Sequence, residues 1–121
     1  MKDTVLSQLL FFSNMPSGWG NGKGEIISRE VISKTLEIYH IGKNYAEYCE
    51  VFPVYDGSMK LSFCSRKYYT EFLILPNLVV TYSIGYKETK YNTIEEHREI
   101  DCKNLNGEIT KILKAVIGEK Q

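Results

Sequence analysis

Apolar residues recur at spacings of three and four within the first 42 residues, which predicts two amphipathic helices. The first begins at a cap formed by Asp3 or Thr4 and ends at the sequence Ser13-Asn14-Met15-Pro16. The second begins at the N-cap Ser28 and ends at Gly42. The predicted inward positions are Val5, Leu6, Leu9, Leu10 and Phe12 in the first helix, and Val31, Ile32, Thr35, Leu36, Ile38 and Tyr39 in the second. Both stripes need a further layer to pack against.

After residue 49 the period of the pattern changes to two, which predicts antiparallel strands joined by tight turns. A first hairpin turns at Asp56-Gly57. Pro53 places its first strand at an edge of the sheet, because proline has no N–H to donate to a neighbouring strand. A turn centred on Asp56-Gly57 makes Cys49 and Cys64 direct cross-strand neighbours, and we expect both thiols to be reduced in the cell.

A second hairpin covers residues 68–87 with its turn at Pro76-Asn77. Proline excludes a type I′ turn, which needs a positive φ at that position, so a three-residue loop containing a type I turn is favoured. This loop ends with Leu78 in a left-handed conformation, where glycine is usual, and that argues against it. The resulting pairs are Leu75 with Val79, Ile74 with Val80, Phe72 with Tyr82, Thr70 with Ile84 and Tyr68 with Tyr86.

The last third of the chain contains one ambiguous segment and a closing helix. Arg98, Ile100 and Cys102 alternate with charged residues, which predicts a fifth strand, whereas a helical turn capped by Thr93 is the alternative. The closing helix is capped by Asn104 and ends at Gly118. The predicted fold is therefore α+β, a single domain over residues 1–121 in which an antiparallel meander of four or five strands has its helices packed on one face.

Composition narrows the classes of protein to be considered. Fifteen basic and fifteen acidic residues give a formal net charge of zero, so the chain lacks the overall positive charge of proteins that bind DNA duplexes or membrane surfaces. No apolar run reaches the roughly 18 to 20 residues of a membrane span. The three cysteines form no C-x-x-C motif, so we predict neither a metal site nor a cofactor, and we expect a soluble protein of the reducing cytoplasm.

Glycines at alternate positions surround the single tryptophan in the loop between the first two helices. The predicted structural loop consists of Gly18, Trp19, Gly20, Gly22 and Gly24. It follows a helix rather than a strand and lacks the G-K-[ST] ending of a phosphate-binding loop, which disfavours nucleotide binding. Two interpretations remain: the indole is buried at the edge of the core while the glycines turn tightly around it, or it is partly exposed and anchors a partner.

The order of motifs resembles a family of small uncharacterised bacterial proteins found in mobile and defence-associated gene contexts. The residues that carry the resemblance are the loop from Gly18 to Gly24, the helix from Ser28 to Gly42, and the hairpin sequence Val51-Phe52-Pro53-Val54-Tyr55-Asp56-Gly57. The chain departs from the family pattern at Ser58, where a second glycine is usual. The resemblance implies a bacterial origin, the α+β fold and a partner in a toxin-antitoxin or defence-type system, but no particular chemistry.

Candidate catalytic residues are few. His40 and His97 are the only histidines, and His97 stands in the charged run Glu95-Glu96-His97-Arg98-Glu99 without a metal-binding or nucleophile motif. Cys102 with His97 is a conceivable pair in space, but no sequence signal supports it. We therefore expect a protein without catalytic activity, and a hydrolase is the less favoured alternative.

The predicted register of the second hairpin gathers positive charge and aromatic rings at its open end. This basic tyrosine patch consists of Arg66, Lys67, Tyr68, Tyr69, Tyr86, Lys87, Lys90 and Tyr91. Rings beside cations suit an acidic protein surface or single-stranded nucleic acid. A simple cross-strand tyrosine pair with solubilising lysines is the plainer explanation. The sequence thus predicts binding of a macromolecule, in the first place a protein, with a single-stranded nucleic acid as the alternative; it does not indicate the oligomeric state.

Overall fold

The computed structural model describes residues 4–86 and 93–120, with the side chains of 93–97 and 117–120 left aside. Its helices are α1 (Thr4–Ser13), α2 (Trp19–Gly22), α3 (Arg29–Gly42) and α4 (Leu105–Lys120), with 3₁₀ turns at Lys43–Tyr45 and Cys102–Asn104. Its strands are β1 (Tyr48–Pro53), β2 (Met59–Cys64), β3 (Tyr68–Ile74), β4 (Val80–Tyr86) and β5 (Thr93–Glu99). The predictions that involve Asp3, Lys87, Lys90 and Tyr91 lie outside the described residues.

The five strands form one antiparallel sheet in the order β1-β2-β3-β4-β5, which confirms the predicted meander and the α+β fold. The ambiguous segment is a strand, and its pairing with β4 is irregular near Ile84. Helix α3 packs on β2 and β3, α1 packs on β1 and α3, and α4 packs on α3, so these helices cover one face of the sheet. Pro53 ends β1, which is an edge strand as predicted.

The core lies between α3 and the covered face of the sheet. One row of residues across this face runs from Val51 through Leu61 and Phe72 to Tyr82, and the first three side chains of the row are buried. The fully buried side chains of α3 include Val31, Thr35 and Ile38, and α4 contributes Ile109. The predicted stripe of α3 is confirmed, because its residues are buried or packed against the core. The predicted cap is confirmed as well, because Ser28 accepts a hydrogen bond from the Val31 N–H at 3.1 Å.

Helix α1 buries less of its predicted stripe than its spacing suggests. Val5 and Leu9 are buried, but Leu6 is 39% and Leu10 is 67% exposed. Helix α1 packs mainly against β1, at the edge of the sheet, and against α3. It therefore has a neighbour along only part of its surface. The prediction that Leu6 and Leu10 face inward is wrong.

Gly42 ends α3 for a different reason from the predicted one. A C-terminal glycine usually adopts a left-handed conformation, whereas Gly42 has φ −100° and leads directly into the 3₁₀ turn. It is buried, and a Cβ at this position would lie 2.6 Å from the Phe63 ring and 2.7 Å from Leu113. Glycine is therefore needed because α3, β2 and α4 approach one another closely here.

The second hairpin has the predicted register throughout. Leu75 N–H donates to the Val79 carbonyl at 2.9 Å, and the further pairs extend to Tyr68 opposite Tyr86. Leu78 is left-handed, with φ 70°, although it is not a glycine. Its side chain packs partly against the core, and the Asn77 side chain accepts from the Val79 N–H at 3.1 Å, so packing and a local hydrogen bond offset the backbone strain.

The predicted register of the first hairpin is wrong by one residue. The loop has three residues and not two, because Val54 N–H donates to the Ser58 carbonyl at 2.9 Å and Gly57 takes the left-handed position with φ 92°. Cys64 is therefore opposite Tyr48 rather than Cys49. Because neighbouring positions in a strand point to opposite faces, Cys49 lies on the covered face and Cys64 on the other, and neither forms a disulfide.

The closing helix begins where predicted but ends later. Strand β5 ends at Glu99, and Cys102 lies in a 3₁₀ turn where the Asp101 side chain accepts from the Lys103 N–H at 3.0 Å. Asp101 caps this 3₁₀ turn, whereas Asn104 directly precedes Leu105, the first residue of α4, and so holds the predicted capping position. Helix α4 continues through Gly118 to Lys120.

Candidate binding surfaces

The glycine loop is closed by its own backbone hydrogen bonds. Gly18 N–H donates to the Gly24 carbonyl and Gly24 N–H donates to the Trp19 carbonyl, both at 2.8 Å, while Gly22 N–H donates to Gly18. Gly20 and Asn21 are left-handed, with φ near 65° in both. The N–H groups of Gly18, Gly22 and Gly24 already donate within the loop, so they cannot donate to a phosphate.

Trp19 joins the glycine loop to the first hairpin. Its indole lies flat on Gly24, where a Cβ would overlap the ring, and its Nε1 donates to the Glu25 carbonyl at 2.6 Å. The Tyr55 ring is 5.2 Å away between centroids, and Glu25 N–H donates to the Tyr55 carbonyl at 2.8 Å. Trp19 is partly buried against the core, so the geometry favours a structural anchor, attached to the hairpin loop rather than to α1.

The structure separates the members of the basic tyrosine patch. Arg66 and Lys67 are exposed in the β2–β3 turn that precedes Tyr68, and the Tyr68 and Tyr86 ring centroids are 5.4 Å apart. Tyr68 is partly buried against the core, as expected of a cross-strand pair. Tyr69 points to the opposite face of the sheet, so the prediction that it joins the other rings is wrong.

A groove that was not predicted from the sequence lies on the face of the sheet that the helices leave uncovered. Small side chains of β2, Ser62 and Cys64, form its floor. Its two walls come from the neighbouring strands, Tyr48, Glu50 and Phe52 on β1 and Tyr69 and Glu71 on β3. These seven residues enclose about 520 Å³, and we call them the open-face groove.

The floor of the open-face groove is shielded although no helix covers it. Ser62 is 7% and Cys64 is 5% exposed, whereas Tyr48 and Phe52 on the wall are 43% and 48% exposed. The large wall residues therefore remove water from the floor while keeping their own rings accessible. Two exposed aromatic residues on the outer face of an edge strand were the one sequence signal that could have indicated this surface.

Two carboxylates face each other across the floor. Ser62 is paired with Glu50 on one side and with Glu71 on the other. The Ser62 hydroxyl donates to Glu71 Oε2 over 3.5 Å, and the Cys64 thiol is 3.9 Å from Glu50 Oε1, so both contacts are long and weak. Among the described side chains, no cation forms a salt bridge with either carboxylate.

Gly85 on β4 leaves room for the Tyr69 ring, which belongs to the second wall of the groove. Gly85 is paired with Tyr69, and a Cβ at Gly85 would lie 2.6 Å from the Tyr69 hydroxyl oxygen. The Tyr69 ring therefore lies over β4 rather than across β2. A larger residue in place of Gly85 would displace this ring.

The described residues offer little for catalysis or metal binding. His40 is exposed on α3, on the covered side of the sheet, and lies beside the Tyr39 ring. The His97 side chain lies outside the described part of the molecule, so its pairing with Cys102 stays a prediction. In residues 4–86 and 93–120, no three histidine, cysteine or acidic side chains are grouped to hold a metal, and no helix is long and apolar enough to cross a membrane.

Comparisons of the chain with protein-family models, with curated proteins and with solved structures find no match. Function must therefore be inferred from the geometry of the surfaces described above.

Proposed function

We propose that this protein acts by binding a protein partner through the open-face groove, without catalysing a reaction. The observation that carries the proposal is that helices cover only one of the two faces of the sheet. Three helices cover one face, whereas the other retains exposed Tyr48 and Phe52 above a nearly dry floor. Rigid aromatic rings supply contact area at low conformational cost, and they are enriched where proteins bind one another.

The shape of the groove also favours a protein partner. Its walls come from β1 and β3 on either side of β2, and the space between them is open to solvent. Such a groove accepts side chains from a continuous segment of another chain. The resemblance to bacterial proteins of mobile and defence-associated contexts supports a regulatory or neutralising role toward a toxin or defence effector.

A second candidate function rests on the basic tyrosine patch. The Tyr68 and Tyr86 rings form a pair, and exposed Arg66 and Lys67 directly precede Tyr68 in the chain, an arrangement compatible with stacking of single-stranded bases near cations. Tyr68 and Tyr86 lie at one end of the hairpin and point to the covered face. The two functions therefore use different residues. The open-face groove itself does not suit nucleic acid, because its carboxylates would repel phosphates.

The test is recovery of the tagged protein from its native cells, with proteins and nucleic acids in the eluate both identified. Tyr48→Ser/Phe52→Ser should lose the partner, and Arg66→Ser/Lys67→Ser should retain it. The matched control is Leu10→Ser/Phe11→Ser, which removes exposed apolar surface from α1, where both residues are 67% exposed.

Each variant must first show an unchanged melting temperature. Retention of every partner by Tyr48→Ser/Phe52→Ser would refute binding through the groove. Loss of a co-purified RNA on Arg66→Ser/Lys67→Ser, with sensitivity to salt, would favour the second function.

A further inference from the structure

We infer that the open-face groove recognises an arginine side chain on the partner protein, held between Glu50 and Glu71. This inference rests on the proposed function, because it specifies the chemistry of the partner segment that lies in the groove. It uses three observations: the placement of the two carboxylates, the ring next to them, and the charge at the end of the groove.

The carboxylates come from the two strands that flank β2, with Ser62 between them. Strands two positions apart in a sheet are separated by about 9.6 Å at the backbone, twice the usual strand spacing. Two glutamate side chains can close on a single planar group placed over the floor. A guanidinium has five N–H donors in one plane, so it can donate to both carboxylates and to the Ser62 hydroxyl together.

The two carboxylates are accessible from the groove, since Glu50 is exposed and Glu71 is half-buried. Ser62 is nearly buried, and the only described polar contacts of Glu50 and Glu71 with side chains are the long ones to Cys64 and Ser62. The carboxylates therefore retain acceptor capacity next to a floor with little water. Hydrogen bonds between charged groups are shorter and stronger than those between neutral ones.

An aromatic ring stands in the next row of the sheet. Cys64 is paired with Tyr48 on β1, whose ring is exposed two residues from Glu50, whereas the Tyr69 ring on β3 lies over Gly85. The flat face of a guanidinium and the methylene groups of arginine both pack well on such a ring. A lysine ammonium lacks the planar set of donors, and nucleic acid would bring phosphates toward two negative charges.

The net charge of the groove and its far end suits a single cationic side chain of the partner. Lys60 is the next residue of β2 on this face, between Phe52 and Leu73 of the neighbouring strands. With Glu50 and Glu71, it leaves this part of the surface with one excess negative charge. That balance complements one arginine with uncharged or apolar neighbours, rather than a polybasic run.

The test uses a displayed library of random 12-residue peptides, selected on the tagged wild-type protein. The selected peptides should contain one arginine in a shared position. Glu50→Gln/Glu71→Gln should weaken their binding by about ten-fold or more, measured by fluorescence anisotropy at low salt. Replacing the peptide arginine by lysine should weaken binding, and replacing it by norleucine should abolish it.

The matched control is Glu25→Gln/Glu30→Gln, which changes the net charge equally at two exposed carboxylates outside the groove and should bind as wild type. Peptides that lack arginine, or that bind Glu50→Gln/Glu71→Gln as tightly as wild type, would overturn the inference while leaving groove binding intact. Absence of any enriched peptide would also overturn it. The proposed function fails separately, if Tyr48→Ser/Phe52→Ser retains the native partner.

Discussion

Replacing Trp19 by alanine should destabilise the protein by about 2 to 3 kcal/mol. Truncating a fully buried tryptophan costs about 3 to 5 kcal/mol. Trp19 is only partly buried, which lowers that cost, but the change also removes its packing on Gly24 and Tyr55 and the Nε1 hydrogen bond to Glu25. Against the roughly 5 to 15 kcal/mol that stabilise an ordinary domain, this loss is large.

The measurement is urea unfolding followed by far-ultraviolet circular dichroism, because the substitution removes the only tryptophan. Trp19→Phe is the matched control. It keeps one ring near Gly24 but loses the second ring of the indole and the hydrogen bond to Glu25, so it should cost less than Trp19→Ala.

The fluorescence of the wild-type protein gives an independent check. Partial burial of the ring against the core should shift the emission of Trp19 to shorter wavelength than that of free indole in water. Emission at the position of free indole, together with unchanged stability of Trp19→Ala, would refute the assignment of this residue as the anchor of the glycine loop.

Three further substitutions or treatments have expected outcomes. Ser58→Ala should leave stability unchanged or raise it by up to about 1 kcal/mol, since the buried Ser58 hydroxyl has no hydrogen-bond partner among the described residues; a clear loss in urea unfolding would reveal a missed partner. Gly42→Ala should destabilise by about 1 to 3 kcal/mol through overlap with Phe63, and equal stability by calorimetry would contradict that contact. Mild oxidation should not join Cys49 to Cys64, because they lie on opposite faces; a monomer two hydrogens lighter by mass spectrometry, with these residues cross-linked in its peptides, would contradict the register.

The helices and the second hairpin follow from local chemistry. Ser28 can cap only the residues directly after it, and the apolar spacing of α3 then determines which side is buried. In the second hairpin, Pro76 excludes the competing two-residue turn, so the register follows from a single backbone angle. The register requires Leu78 to be left-handed, which a leucine disfavours locally. Packing of its side chain against the core outweighs that local preference.

The register of the first hairpin needed the rest of the molecule. Asp56-Gly57 suits either a two-residue or a three-residue loop, because glycine accepts a positive φ in both. Contacts from outside the hairpin accompany the three-residue form, with Glu25 bonded to the Tyr55 carbonyl and the Ile26 carbonyl 3.3 Å from a Cβ built on Gly57. No periodicity within the hairpin contains that information.

The sequence by itself predicted the three long helices, the first four strands, the register of the second hairpin and the packing of the helices on one face of the sheet. It left residues 94–102 open between strand and helix. Only the tertiary structure decided where chemistry collects on the uncovered face, because a groove needs the registers of three strands at once. A shift of one residue in the first hairpin would have placed Glu50 on the other face from Ser62. The same alternation separated Tyr69 from Tyr68 and set its ring on Gly85, since neighbours in a strand point apart while partners across strands meet.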